Sequence, residues 1–96
     1  MNRYILAPAA RQDLRAIQAY IAHDNIQAAR RVLAEIRAAC ARLADNPRLG
    51  HAREDLTDQP VRFWSVRTYY LIYRPDTHPL EIVRIVHSAR DIPHLL

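Results

Sequence analysis

His87 and Arg90, just beyond the last apolar run of the chain, are the side chains best suited to moving a proton beside a phosphate. An imidazole titrates near neutral pH, and a guanidinium supplies fixed positive charge in a planar fork that suits phosphates and carboxylates. Cutting RNA by attack of its own 2′-hydroxyl requires a proton acceptor, a proton donor for the leaving oxygen and fixed charge on the phosphate. Arg53, Arg62 and Arg67 could approach His87 and Arg90, but the set is partial, and the chain contains no lysine. The structural alternative makes His87 a strand-end residue whose imidazole caps a neighbouring backbone group, and structural residues outnumber catalytic ones.

Other constellations point to less. His87, Asp91 and His94 have the spacing of metal ligands on one helical face, but Pro93 interrupts that face and no second cluster supports it, so no metal is expected. His51 and His78 fall in loops. The single glycine, Gly50, excludes a glycine-rich phosphate cradle, and no cofactor is expected.

These residues must be positioned by a small scaffold. Ninety-six residues, half of them hydrophobic and a quarter charged, make one domain spanning residues 1–96 with one modest core. No apolar run approaches the ~20 residues of a membrane span, and the first fifteen positions lack a secretion signal, so a cytoplasmic protein with no membrane association is expected. The lone cysteine, Cys40, agrees with a reducing compartment. The net charge of +4 would speed encounter with an acidic protein as readily as with nucleic acid.

Tyr4 to Leu6 reads as a strand stub before Pro8, which can open a helix. Ala10, Leu14, Ile17 and Ile21 then recur at helical spacing to about His23, where Asp24 or Asn25 can cap a second helix. In that helix Ala29, Leu33, Ile36, Cys40 and Leu43 form the buried stripe, ending before Asn46-Pro47. The short connection folds the two back as a hairpin. Its arginines, Arg11, Arg15, Arg30, Arg31, Arg37 and Arg42, read as solvated surface, with Arg31 and Glu35 spaced to pair. Pro47 to Pro60 is a loop in which Gly50 is expected at positive φ. Three strands follow, Val61 to Arg67, Tyr69 to Arg74 and Leu80 to His87, the last two antiparallel.

The expected fold is therefore α+β, with a two-helix hairpin on one face of a small, mainly antiparallel sheet of three or four strands. Strict alternation would put Leu80, Ile82, Arg84 and Val86 on one face of the last strand, and Glu81, Val83, Ile85 and His87 on the other. Two helices cover one side only, so the second should be left partly apolar, carrying arginines, tyrosines and either Phe63 or Trp64. An uncovered face of that kind usually meets a partner. Arg62, Trp64, Arg67, Tyr70, Arg74, Arg84, His87 and Arg90 are the candidates for partner or target binding.

The segments "LAPAARQDLRAIQAYIAHDN", "LADNPRLGHAREDL", "RFWSVRTYYLIYRPD" and "IVRIVHSARD" resemble, in order and over nearly the whole chain, the RelE/ParE superfamily of type II toxins, in particular its ParE-like branch. The resemblance implies a small α+β toxin neutralised by a ParD-like antitoxin, with DNA contacted only indirectly through that antitoxin. ParE-like members inhibit DNA gyrase, whereas RelE-like members cut mRNA in the ribosome. Here Tyr69-Tyr70 stand where the ribonuclease strand carries an arginine. A binding toxin directed at DNA gyrase is expected, the alternatives being a ribosome-dependent endoribonuclease or a non-toxic remnant that still binds antitoxin.

Overall fold

One residue, Asn25, separates the two long helices, α1 (Pro8–Asp24) and α2 (Ile26–Asp45), in the computed structural model, which describes residues 2–96. Its backbone is extended, and its Oδ1 accepts from the Ala28 N–H at 3.0 Å, satisfying one of the free amides that open α2. Its own N–H donates to the Ile21 carbonyl. Pro8 begins α1, where its missing donor costs nothing. The two apolar stripes then meet over the sheet: Ala10, Leu14 and Ile17 from α1, and Val32, Leu33, Ile36, Cys40 and Leu43 from α2.

Cys40 lies in the middle of that layer with 1% of its surface exposed. Burial disfavours the thiolate and pushes the thiol pKa up to about 12. Ellman's reagent at pH 8 is therefore expected to leave the native chain unmodified and to titrate one thiol in denaturant. Modification of the native chain at the rate of a free thiol would contradict this packing.

The sheet consists of β1 (Tyr4–Leu6), β2 (Arg62–Val66), β3 (Tyr69–Arg74) and β4 (Leu80–His87) in the order β1-β4-β3-β2. β1 runs parallel to β4, and the other pairs are antiparallel. Strict alternation fails in β4. Ile72 lies opposite Arg84 and Tyr73 opposite Ile82, so Val83 is an extra residue, a bulge that reverses the inward and outward phase. Leu80, Ile82 and Ile85 consequently pack under the helices, while Val83 and Val86 pack on the other side. Apolar residues on both faces of β4 reflect this change of phase.

The second face is not left open, contrary to the sequence expectation. Val61, Phe63, Ile72 and Val86 form a second cluster there with Ile92, the first residue of a one-turn helix, α3 (Ile92–Leu95); Leu56, Leu95 and Leu96 pack against it. The tail is held by Gln59 Nε2, which donates to the Leu96 carbonyl at 2.8 Å, and by Arg84 Nη1, which donates to the Leu95 carbonyl at 3.0 Å. Phe63 thus belongs to this face, and Trp64 to the helix side, with the Arg42 guanidinium 5.6 Å above its ring.

Gly50 does not adopt positive φ; the one residue described that does is Arg67, at 54°, in the tight turn between β2 and β3. The glycine answers a need for space instead. A Cβ at position 50 would lie 2.5 Å from the Tyr73 hydroxyl and 2.8 Å from the Phe63 carbonyl oxygen.

Candidate functional site

Most of the arginines expected to meet a partner are held by partners inside the chain. Arg84 makes a two-pronged pair with Asp13 of α1, Nε to Oδ2 at 2.7 Å and Nη2 to Oδ1 at 2.9 Å. Arg74 pairs with Glu81 across the β3–β4 ladder at 2.9 Å. Arg62 donates to the Gly50 carbonyl at 2.6 Å and so pins the loop after α2. Arg67 reaches Glu35 on α2, its Nε 3.1 Å from both carboxylate oxygens. Glu35 is thereby tied to Arg67, not to Arg31 as helical spacing suggested, because the β2–β3 turn brings a rigid fork against it. The hydrogen bond from Arg67 holds the Glu35 carboxyl below the usual glutamate range.

Tyr70 is engaged as well. Its hydroxyl accepts from Arg53 Nη1 at 3.1 Å, and its ring meets Phe63 edge-on. Arg53 is also clamped by Asp55, which with Tyr70 raises the guanidinium pKa further. His51, Arg53, Ser65 and Tyr70 line a hollow of about 300 Å³ beside the edge strand β2. His51 reaches it because its backbone exchanges both hydrogen bonds with Phe63, at 2.9 and 2.8 Å.

His87 ends β4, and its Nδ1 accepts from the Ala89 N–H at 3.0 Å. In the neutral ring the proton then sits on Nε2. Arg90 follows in the turn after β4 and has no ion-pair partner among the described residues. His94 pairs with Asp91, and the described residues contain no group of three that could hold a metal ion.

Three of the eight sequence candidates do come together. Arg84, His87 and Arg90 line a groove of about 620 Å³ between α1 and the ends of β3 and β4, whose floor includes Ile17, Tyr69 and Ile85 and whose rim carries Tyr20. Asp13, Ile17, Tyr20 and Tyr69 were not among the sequence candidates for a site. One signal existed: Tyr20 falls beside the stripe position Ile21, where a large ring can only stand at the border of the buried face. Arg62, Trp64, Arg67, Tyr70 and Arg74 lie outside this groove. No helix among the described residues is long and apolar enough to cross a membrane.

The arrangement offers an apolar trough with cations at its mouth, suited to gripping a chain more than to transferring protons. Comparison with known proteins agrees on the fold. A solved structure described as "Chromosomal ParDE TA system from P. aeruginosa" superposes with a TM-score of 0.71 at 21% identity, over 91% of this chain and 96% of that one. No curated protein matches the chain. The family described as "ParE toxin of type II toxin-antitoxin system, parDE" matches residues 4–92. That span runs from the first residue of β1 to the first of α3, and the chain belongs to the ParE toxin family of type II toxin–antitoxin systems.

Proposed function

We propose that this toxin acts in the cytoplasm by occupying a surface of DNA gyrase, and that a ParD-like antitoxin neutralises it by binding first. Gyrase is the target that the resemblance to ParE-like toxins implies. The observation that carries the binding reading is the engagement of the guanidiniums: Arg53, Arg62, Arg67, Arg74 and Arg84 are all turned to acceptors within the chain. A phosphate clamp would have to break those contacts, each with a charge-assisted partner or a loop carbonyl. DNA is contacted only through the antitoxin.

The test pairs two assays on the purified chain. Gyrase supercoiling is expected to be inhibited, ribosome-bound message to remain intact, and the product of the adjacent open reading frame to restore supercoiling. Cleavage of message with supercoiling untouched, abolished by His87→Ala in a folded sample, would overturn the proposal in favour of a ribonuclease. Unimpaired growth on expression without the antitoxin would mark a non-toxic remnant.

A further inference from the structure

β1 pairs with β4 only from Leu80 to Ile82, so beyond that point this edge of β4 has no strand beside it. Asp13 of α1 stands in for the missing strand, its Oδ2 accepting from the Ile85 N–H at 2.9 Å. Arg84 lies at this gap and bridges two layers. Its Nε and Nη2 grip Asp13 on the helix side, and its Nη1 donates at 3.0 Å to the Leu95 carbonyl of the tail that covers the other side. The rest of the tail is lightly held. Ile92 is the buried residue of α3, Leu95 and Leu96 are half-buried, and Gln59 supplies the other side-chain hydrogen bond to a tail carbonyl among the described residues. Few buried contacts and two side-chain fastenings mark a segment that opens before the fold does.

We propose that the tail from Ile92 to Leu96 is a strap that opens and closes over the second sheet face while the rest of the chain stays folded, with Arg84 as its clasp and Asp13 as the anchor of that clasp. Closed, the strap hides Val61, Phe63, Ile72 and Val86; open, it presents them as an apolar patch. A guanidinium already held by a carboxylate on two of its nitrogens is fixed in place when it meets the Leu95 carbonyl, so little freedom is lost in fastening the strap. Without Asp13, the whole arginine side chain would be ordered for one hydrogen bond. Asp13 also lines the groove along α1. An occupant there that draws its carboxylate away from Arg84 therefore loosens the strap on the opposite side, and an open strap weakens the hold on Asp13 in return. The device works in the same way whichever macromolecule the toxin inhibits.

Val86→Cys places a thiol beneath the strap, and Cys40 in the helix layer reports opening of the whole fold in the same molecule. Both are followed with Ellman's reagent at pH 8. The thiol at position 86 is expected to react about tenfold faster than Cys40 or more, because local opening costs less than unfolding. Val32→Ala, which weakens the helix layer away from the tail, should speed Cys40 alone. Gln59→Ala should speed position 86 about fivefold and Arg84→Met about tenfold, by loss of a neutral and a charge-assisted hydrogen bond. Asp13→Asn keeps an acceptor for the Ile85 amide and touches no tail atom, yet it should speed position 86 about threefold by freeing the clasp. In an Arg84→Met background the same change should add nothing there.

Should Val86→Cys fail to fold by circular dichroism, Val61→Cys puts the thiol in the same cluster and the same comparisons decide. Equal rates at the introduced thiol and at Cys40 would show that the tail leaves only when the whole chain unfolds, and the proposal falls. A rate beneath the tail that Asp13→Asn leaves unmoved, or moves as much when Arg84 is already replaced, would overturn the coupling of α1 to the strap through Arg84.

Discussion

Asp13→Ala is expected to lower the unfolding free energy by about 2–4 kcal/mol, seen as a lower urea midpoint with an unchanged slope. Three contacts converge on that carboxylate. Arg84 grips both oxygens, and the Ile85 N–H donates to Oδ2 at 2.9 Å, immediately after the β4 bulge. The pair is 20% and 15% exposed, so alanine would strand a largely desolvated guanidinium and a backbone donor together. Alanine is the better helix former by roughly 0.5 kcal/mol, which is too little to compensate. Arg84→Met should be milder, because Asp13 then keeps the Ile85 amide. The double variant Asp13→Ala/Arg84→Met should be more stable than the sum of the single changes predicts, since it removes both charges at once. A midpoint unmoved by Asp13→Ala would mean that the pair joining α1 to β4 contributes nothing.

Asp13 also shows where the sequence could be read and where it could not. Helices and strands were legible because their signals are local: a period of three to four residues in α1 and α2, an asparagine between them, and strand-like runs bounded by prolines and turns. The edges of β1, β3 and β4 fall where those patterns end. Two devices escaped. The Val83 bulge leaves no mark in composition, yet it decides which residues of β4 face the helices. α3 covers the second face through only a few apolar residues at the chain's end, a length too short to show a period. Both errors led to an open, arginine-studded sheet face that the structure does not have.

The site was legible only in part for a related reason. Whether an arginine is free to meet a partner depends on acids far away in sequence. Asp13 is 71 positions from Arg84, and Glu35 is 32 from Arg67. Neither distance is readable from a spacing rule, whereas Arg31 and Glu35 invited pairing because they are neighbours on one helix. Arg90 has Asp91 beside it in the sequence, yet that carboxylate pairs with His94, so Arg90 keeps no ion-pair partner among the described residues. The hollow at His51 and the groove at His87 share only the start of β3, Tyr70 lining the one and Tyr69 the other, so a perturbation of the loop that carries His51 is informative about both surfaces.

Gly50→Ala provides that perturbation, with an expected loss of about 3 kcal/mol from overpacking and broken hydrogen bonds. The Tyr73 hydroxyl accepts from the Gly50 N–H at 2.9 Å and donates to the Pro47 carbonyl at 2.7 Å, so one phenol closes the loop after α2. Neither obstacle to a methyl group can retreat. The Tyr73 ring is wholly buried in the core, and the Phe63 carbonyl is engaged by the His51 N–H. Tyr73→Phe alone should cost about 1–3 kcal/mol by leaving the Pro47 carbonyl and the Gly50 amide without their partner. Combining the two should cost less than their sum, since removing the hydroxyl relieves the contact at 2.5 Å while that with the Phe63 oxygen at 2.8 Å remains. Because this loop carries His51 and Arg53, faster amide exchange at His51 and Phe63 should accompany the loss. Antitoxin affinity measured below the unfolding transition should stay near wild type if the partner docks along α1. A drop of about tenfold would show that the antitoxin grips the hollow beside β2, lined by His51, Arg53 and Tyr70.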